Sequence, residues 1–253
     1  MVSSSKLNVR GTLAAVALLF AAAGLPTAFA DLSNIVFAID ATSATGQGTY
    51  TAGIADGHLV IDGYLYEWSL AQPVEIRDPS NGILIATITD ASATYIGDPQ
   101  VNLSFAVTAG PALTDFTIKS SLLTFPAINF PSARASAAFT VTDGDDEGGA
   151  TLTGLRGEAY LAQYNGFVPN GTEFTQLIQQ VVAPLSGTAD LSEEYPGGGA
   201  YAAIAGPATD MSSQISFSLS ANDLASGTSN FEIIPEPCGL LLLAVSAGLL
   251  RRR

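Results

Sequence analysis

Val101-Asn102-Leu103-Ser104-Phe105-Ala106-Val107-Thr108 alternates without a break, setting Val101, Leu103, Phe105 and Val107 against Asn102, Ser104, Ala106 and Thr108. Successive side chains leave a pleated backbone on opposite sides, so this period of two is that of a half-buried strand. Gly110-Pro111 turns the chain afterwards. The same period returns in Ala133 to Thr142, where Ala135, Ala137, Phe139 and Val141 oppose Arg134, Ser136, Ala138 and Thr140. It returns again in Ile215, Phe217 and Leu219. Asn34 to Ala38, His58 to Trp68, Phe116 to Phe125 and Thr151 to Leu155 read as further strands. Gly82 to Thr89 is apolar on both faces, which predicts a central strand rather than an edge.

Short strands punctuated by Gly and Pro leave too few helix-length segments for parallel crossovers. The expectation is a mostly β fold, a single antiparallel β-sandwich or jelly-roll-like domain with one short helix. That helix is expected in Thr172 to Val182, where Phe174, Leu177, Ile178 and Val181 recur at helical spacing, with Thr172 as cap and Pro184 as stop. It would seal one end or edge of the sandwich. A body of this length can bury a sizeable core, and it must do so without disulfides, because the only cysteine, Cys238, lies beyond it.

Charge excludes one class of function. The 253 residues carry 9 Lys+Arg against 23 Asp+Glu, a formal charge of -14. Lys6, Arg10, Arg251, Arg252 and Arg253 all sit in the terminal segments, so the body has no basic surface to meet phosphates, and no nucleic-acid partner is expected.

The amino terminus has the three parts of a secretory signal. Lys6 and Arg10 precede the apolar run from Gly11 to Gly24, Pro26 breaks the helix, and Ala28 and Ala30 supply the small residues of a cleavage site. Residues 1–30 are read as a signal peptide, handled by the Sec translocon and signal peptidase, with Asp31 as the first mature residue.

The body, residues 31–230, offers little recognisable catalytic chemistry. His58 is the sole histidine, with no Ser and Asp at triad spacing around it, and zinc sites need more Cys or His ligands than exist. The densest acidic run is Asp143-Gly144-Asp145-Asp146-Glu147. Its carboxylates, Asp143, Asp145, Asp146 and Glu147, could surround a structural Ca2+, since calcium accepts irregular oxygen coordination. The run lacks the glycine and terminal glutamate of the twelve-residue calcium loop, and it reads more readily as a solvated hairpin turn whose charges discourage edge pairing. Glu193 and Glu194 could join Glu158 or Glu173 as the paired carboxyls of a glycan-active hydrolase. Trp68 with Tyr64 and Tyr66 could form a sugar-stacking platform, or pack as an aromatic strand. Asn102 and Asn170 begin glycosylation-type triplets of a kind common by chance.

The carboxyl terminus, residues 231–253, is the sharpest constellation. Pro235-Glu236-Pro237 holds the chain extended, since each proline fixes φ and removes a donor. The apolar residues Cys238 to Leu250 follow, and then Arg251, Arg252 and Arg253. As a helix the apolar run would span about 20 Å, short of the roughly 30 Å hydrocarbon core, so it would make a strained transmembrane segment. The arginines would stay on the cytoplasmic side and hold the motif facing outward.

These residues resemble the tail of the PEP-CTERM family of exported bacterial proteins. The resemblance covers Ile234 to Pro237, the apolar Gly239 to Leu250 and Arg251 to Arg253. It implies a sorting signal read by exosortase, an integral-membrane cysteine transpeptidase-like enzyme, with Pro235, Glu236 and Pro237 as recognition residues and Arg251, Arg252 and Arg253 as the retention element. It implies a Gram-negative-type envelope, passage through the inner membrane, and often a producer of extracellular polysaccharide. Cys238 stands where the family more usually has a small hydroxyl residue or alanine.

The leading expectation is therefore a non-enzymatic surface or matrix protein, exported and trimmed at its tail, whose acidic body meets cations or polysaccharide. A secreted carbohydrate-binding module and a glycan-active hydrolase are the alternatives.

Overall fold

The computed structural model describes residues 31–56, 60–62 and 65–235. Its strands begin with β1 (Asp31–Leu32), β2 (Ile35–Ser43), β3 (Gly46–Gly53), β4 (Val60–Asp62) and β5 (Leu65–Ser69). They continue with β6 (Val74–Arg77), β7 (Leu84–Ile96), β8 (Gln100–Ala109), β9 (Thr114–Ser120) and β10 (Leu123–Ile128). Next come β11 (Pro131–Thr142), β12 (Thr151–Gly154), β13 (Tyr160–Tyr164), β14 (Thr172–Leu177) and β15 (Gln180–Val182). The last are β16 (Thr188–Tyr195), β17 (Ala202–Ala203), β18 (Ala208–Leu219) and β19 (Leu224–Pro235). A 3-10 turn at Ile54–Asp56 follows β3. The signal segment with Ala28 and Ala30, His58, Tyr64, and the tail from Glu236 through Arg251, Arg252 and Arg253 lie outside the described residues.

The strands form two antiparallel sheets. In the first, of ten strands, β18 is the axis: β9 and then β10 pair along one edge of it, and β13 and β12 along the other. In the second, of nine, the order β16-β11-β19-β8-β7-β5-β4 puts β11, β19, β8 and β7 in the middle. The Gly82 to Thr89 stretch does lead into a central strand, since β7 pairs with β8 on one side and with β5 and β6 on the other.

Alternation decides which side chains meet between the sheets. Val101, Leu103, Phe105 and Val107 of β8, Phe139 and Val141 of β11 and Phe217 of β18 are buried in one core. Phe217 stacks on Phe105 from the opposite sheet at 5.5 Å between centroids and on Phe116 at 5.2 Å. Such offset stacks add to the burial of apolar area that drives the packing. Tyr95 of β7 closes the gap polar-side: its hydroxyl donates to the carbonyl of Val36 in β2 and accepts from the amide of Ser121 at 2.7 Å. Burial pushes the Tyr95 phenol well above its ordinary range, so it stays a neutral donor.

Three expectations change. Thr172 to Val182 is two strands, β14 and β15, joined at Ile178, whose φ is +64°. Phe174, Leu177, Ile178 and Val181 do share an inward side, but a kink that switches the alternation of a strand reproduces helical spacing. Pairing with β13 and β12 then supplies hydrogen bonds to the sheet. Phe116 to Phe125 is likewise two strands, β9 and β10, interrupted where Ser121 turns its amide to Tyr95. Finally, β19 continues past the expected boundary at residue 230 and runs to Pro235 between β11 and β8, with Phe231 and Ile233 fully buried.

Candidate metal centre

Asp143 stands just past the end of β11, Asp145 two residues on, and Asp223 in the short connection from β18 to β19. Each presents one carboxylate oxygen to a cluster in which these atoms lie within 4.8 Å of one another. Asp143 and Asp223 are 7% and 1% exposed.

The surrounding hydrogen bonds hold the carboxylates in place. Asp143 Oδ2 accepts from the amide of Ser186 at 2.7 Å, which ties the loop to the chain ahead of β16. Asp223 Oδ1 accepts from the amide of Gly144 at 3.0 Å, and the hydroxyl of Ser220 donates to Asp223 Oδ2. Asp145 takes the side-chain amide of Asn222 at 2.9 Å and the backbone amide of Glu147 at 3.0 Å. The Asn222 amide first, and then the Glu147 amide, hold the Asp145 carboxyl below the usual carboxylate range. The ion pairs found among the described residues, Arg77–Glu75, Lys119–Asp40 and Arg134–Glu232, involve none of these three aspartates.

Of the acids expected to share a cation, Asp143 and Asp145 are brought together, whereas Asp146 and Glu147 point to solvent on the turn beyond them. Asp146 has φ +59°, which turns the chain away before its side chain can join. Asp223 takes their place. Some eighty residues separate it from the loop, so only the crossing of β18 into β19 reveals it. Three hard oxygen donors in this arrangement are of the kind that can bind a divalent cation.

The other candidates are distributed differently. Trp68 of β5 is 2% exposed and stacks on Phe37 of β2, so it packs between the sheets and offers no platform to a sugar. Tyr66 is half-buried beside it. Glu158 and Glu173 line one open groove with Arg156. Glu193 belongs to the same charged neighbourhood: loss of solvent, and after it the charges of Glu193 and Glu173, raise the Glu158 carboxyl above its ordinary range. Glu158 Oε2 is buried without a partner. Glu193 itself is engaged in the fold, its Oε2 accepting from the amide of Ile178 at 2.7 Å and so holding the kink between β14 and β15. Glu193 and the next residue, Glu194, both line a different groove. Pro235 is exposed at the end of β19, opposite Pro131.

That second groove was not foreseen. It is an open depression of about 680 Å³ over the second sheet. Outward residues line it in two registered rows, Ser92, Ser104 and Thr228 in one and Thr94, Asn102 and Asn230 in the other. Alternation announces that these side chains face out, but the strand order that lines up β7, β8 and β19 is not local information.

No family model and no curated protein matches the chain. Among solved structures, one titled "Structure of infectious bursal disease virus Gt strain" is 13% identical, with a TM-score of 0.16. The alignment takes in 83% of this chain and 66% of that one. A likeness so slight carries no argument about fold or function.

Proposed function

We propose that the protein is an exported, non-enzymatic surface or matrix protein, an antiparallel sandwich flanked by a signal helix and a short hydrophobic sorting helix of PEP-CTERM type. The observation that carries this reading is the end of β19. Phe231 and Ile233 are buried in the sheet, and the strand brings Pro235, paired with Pro131, to the surface. Pro235 thus opens the motif Pro235-Glu236-Pro237 from an exposed strand end, and the two prolines of the motif favour the extended form that a protease-like cleft reads. Asp31 lies in β1 against Thr124, which suits a signal cut after Ala30.

On this reading the Sec translocon and signal peptidase handle the amino terminus, Arg251, Arg252 and Arg253 hold the tail in the inner membrane, and exosortase trims it. The acidic body then remains soluble at the cell surface or outside the cell, with a structural Ca2+ as its cofactor. Intact-mass analysis of the natively exported protein tests the assignment. The expected mass begins at Asp31 and lacks the arginines. Replacing Pro235, Glu236 and Pro237 together should leave the precursor in the membrane fraction with its tail attached. Export of a chain still ending in Arg253 while the sorting machinery works would overturn it.

The two-row groove favours a second reading, a carbohydrate-binding module. Hydroxyls and amides at strand spacing suit the hydroxyls of a glycan chain, and the lining contains no Lys or Arg to attract an anionic one. In an affinity gel containing a neutral polysaccharide, Asn102→Ala with Asn230→Ala should abolish retardation. Equal mobility of wild type and variant with and without the polysaccharide would remove this reading.

A further inference from the structure

We propose that Asp143, Asp145 and Asp223 are the protein ligands of one calcium ion, which clasps the β11–β12 loop to the β18–β19 connection. The proposal rests on the structural-calcium part of the function proposed above, and it adds the ligand set and what the ion holds together.

The first argument is an unmet need. Asp143 is more than nine-tenths buried, and its Oδ2 is taken by Ser186, yet among the described residues no donor group meets its buried Oδ1, and its side chain comes up against the Asp145 carboxylate instead. A buried carboxylate oxygen without a donor carries a desolvation cost that proteins seldom leave unanswered. The second argument is charge. Three carboxylates converge, and no ion pair among the described residues reaches any of them. Their mutual repulsion in a partly dehydrated place calls for a cation of charge two rather than for a further hydrogen bond.

The third argument is size. Calcium sits roughly 2.3–2.6 Å from each oxygen, so ligands on opposite sides of it stand about 5 Å apart at most. Oxygens that all lie within 4.8 Å of one another meet that limit. An all-oxygen set without His or Cys disfavours zinc. Donors drawn from two loops, several of them already bent toward backbone amides, suit calcium's tolerance of irregular geometry better than the octahedron magnesium demands. Waters would complete the shell.

The two connections matter because both cross between the sheets. β11 belongs to the second sheet and β12 to the first, while β18 is the axis of the first and β19 a central strand of the second. An ion joining them fastens the sheets at one end and anchors the start of the strand that leads to Pro235.

The test uses the full chain, stripped with a chelator and titrated with CaCl2. One ion should bind per chain, and saturation should raise the melting midpoint by about 5–10 °C, the size expected for a ligand well above its dissociation constant. Asp145→Asn and Asp223→Asn should each weaken binding at least about tenfold, because each removes a charge from the shell while keeping its shape. Asp146→Asn and Glu147→Gln should bind as the wild type does. Should Asp223→Asn fail to fold, the half-exposed Asp145 carries the test.

No calcium-dependent shift in the wild type would overturn the proposal. So would an equal shift from MgCl2 alone, or loss of binding in Asp146→Asn with retention in Asp145→Asn. The sorting assignment fails or stands separately, since it is read from the mass of the exported tail and not from this titration.

Discussion

Trp68 and Phe37 stack across the two sheets, their ring centroids 4.9 Å apart and their planes 23° from parallel. The contact joins β5 to β2 and lies in the same core as Tyr95 and Phe116. Trp68→Ala should therefore cost about 3–5 kcal/mol in urea unfolding, the range for removing a large buried aromatic. As the only tryptophan in the chain, it reports wild-type unfolding by a blue emission maximum that moves to the red, and the variant, which lacks it, is followed by far-UV circular dichroism in the same urea series. Trp68→Phe should keep the fold and any retardation by polysaccharide, and loss of that retardation in a folded Trp68→Phe would mean that the side chain touches sugar after all.

Gly227 is needed for the room it leaves. It pairs with Phe139 on one side and Phe105 on the other, and those two rings meet edge to face at 5.8 Å. A Cβ on Gly227 would stand 2.2 Å from Phe139 Cδ1 and 2.8 Å from Phe105 Cε1. Gly227→Ala should thus destabilise by about 1–3 kcal/mol although alanine is the better strand residue, and Phe139→Leu in the same chain should return part of the loss. Chemical denaturation of the single and double variants measures both.

Asp78 links the two sheets at another corner. Its carboxylate accepts from the amides of Gln47 at 2.9 Å, Ser80 at 2.8 Å and Asn81 at 3.2 Å, and from the Ser80 hydroxyl. The Ser80 hydroxyl first, then the Gln47 and Ser80 amides, bring the group from 3.8 down to about 2. A carboxyl held lower in the folded state contributes stability above its unfolded value and loses it as the pH falls through the folded one. Stability should accordingly drop as the pH goes from about 4 to about 2, and Asp78→Asn should flatten that stretch of the profile.

Glu158 has the opposite sign. Its raised carboxyl opposes folding when ionised, in full above its folded value and not at all below its ordinary 4.5. Glu158→Gln should stabilise the protein at neutral pH, with the gain vanishing in mild acid. A gain that is independent of pH would show that packing, and not the loss of solvent around the ionised carboxylate or the charges of Glu193 and Glu173, sets the cost.

Where the expectations and the fold agree, the signal was local. The alternations of Val101 to Thr108 and Ala133 to Thr142 state which side chains are buried whatever partner each strand finds. Thr172 to Val182 fails for the complementary reason: Ile178 reverses the alternation, and the group that stabilises the reversal is Glu193, fifteen residues away. Gly227 sits inside β19 although glycine is poor in strands, and the reason, the Phe105 and Phe139 rings that cover it, comes from two other strands.

The candidate site divides in the same way. An acidic, glycine-bearing turn at Asp143 to Glu147 can be recognised in the linear chain, because charge density and turn chemistry are properties of neighbours. Which of its carboxylates converge, and that Asp223 completes them, was decided by the crossing of β18 into β19. Strand alternation is dictated by the pleat of each backbone alone, whereas a ligand cluster depends on which loops the packed sheets bring to the same end, and that is a property of the whole core.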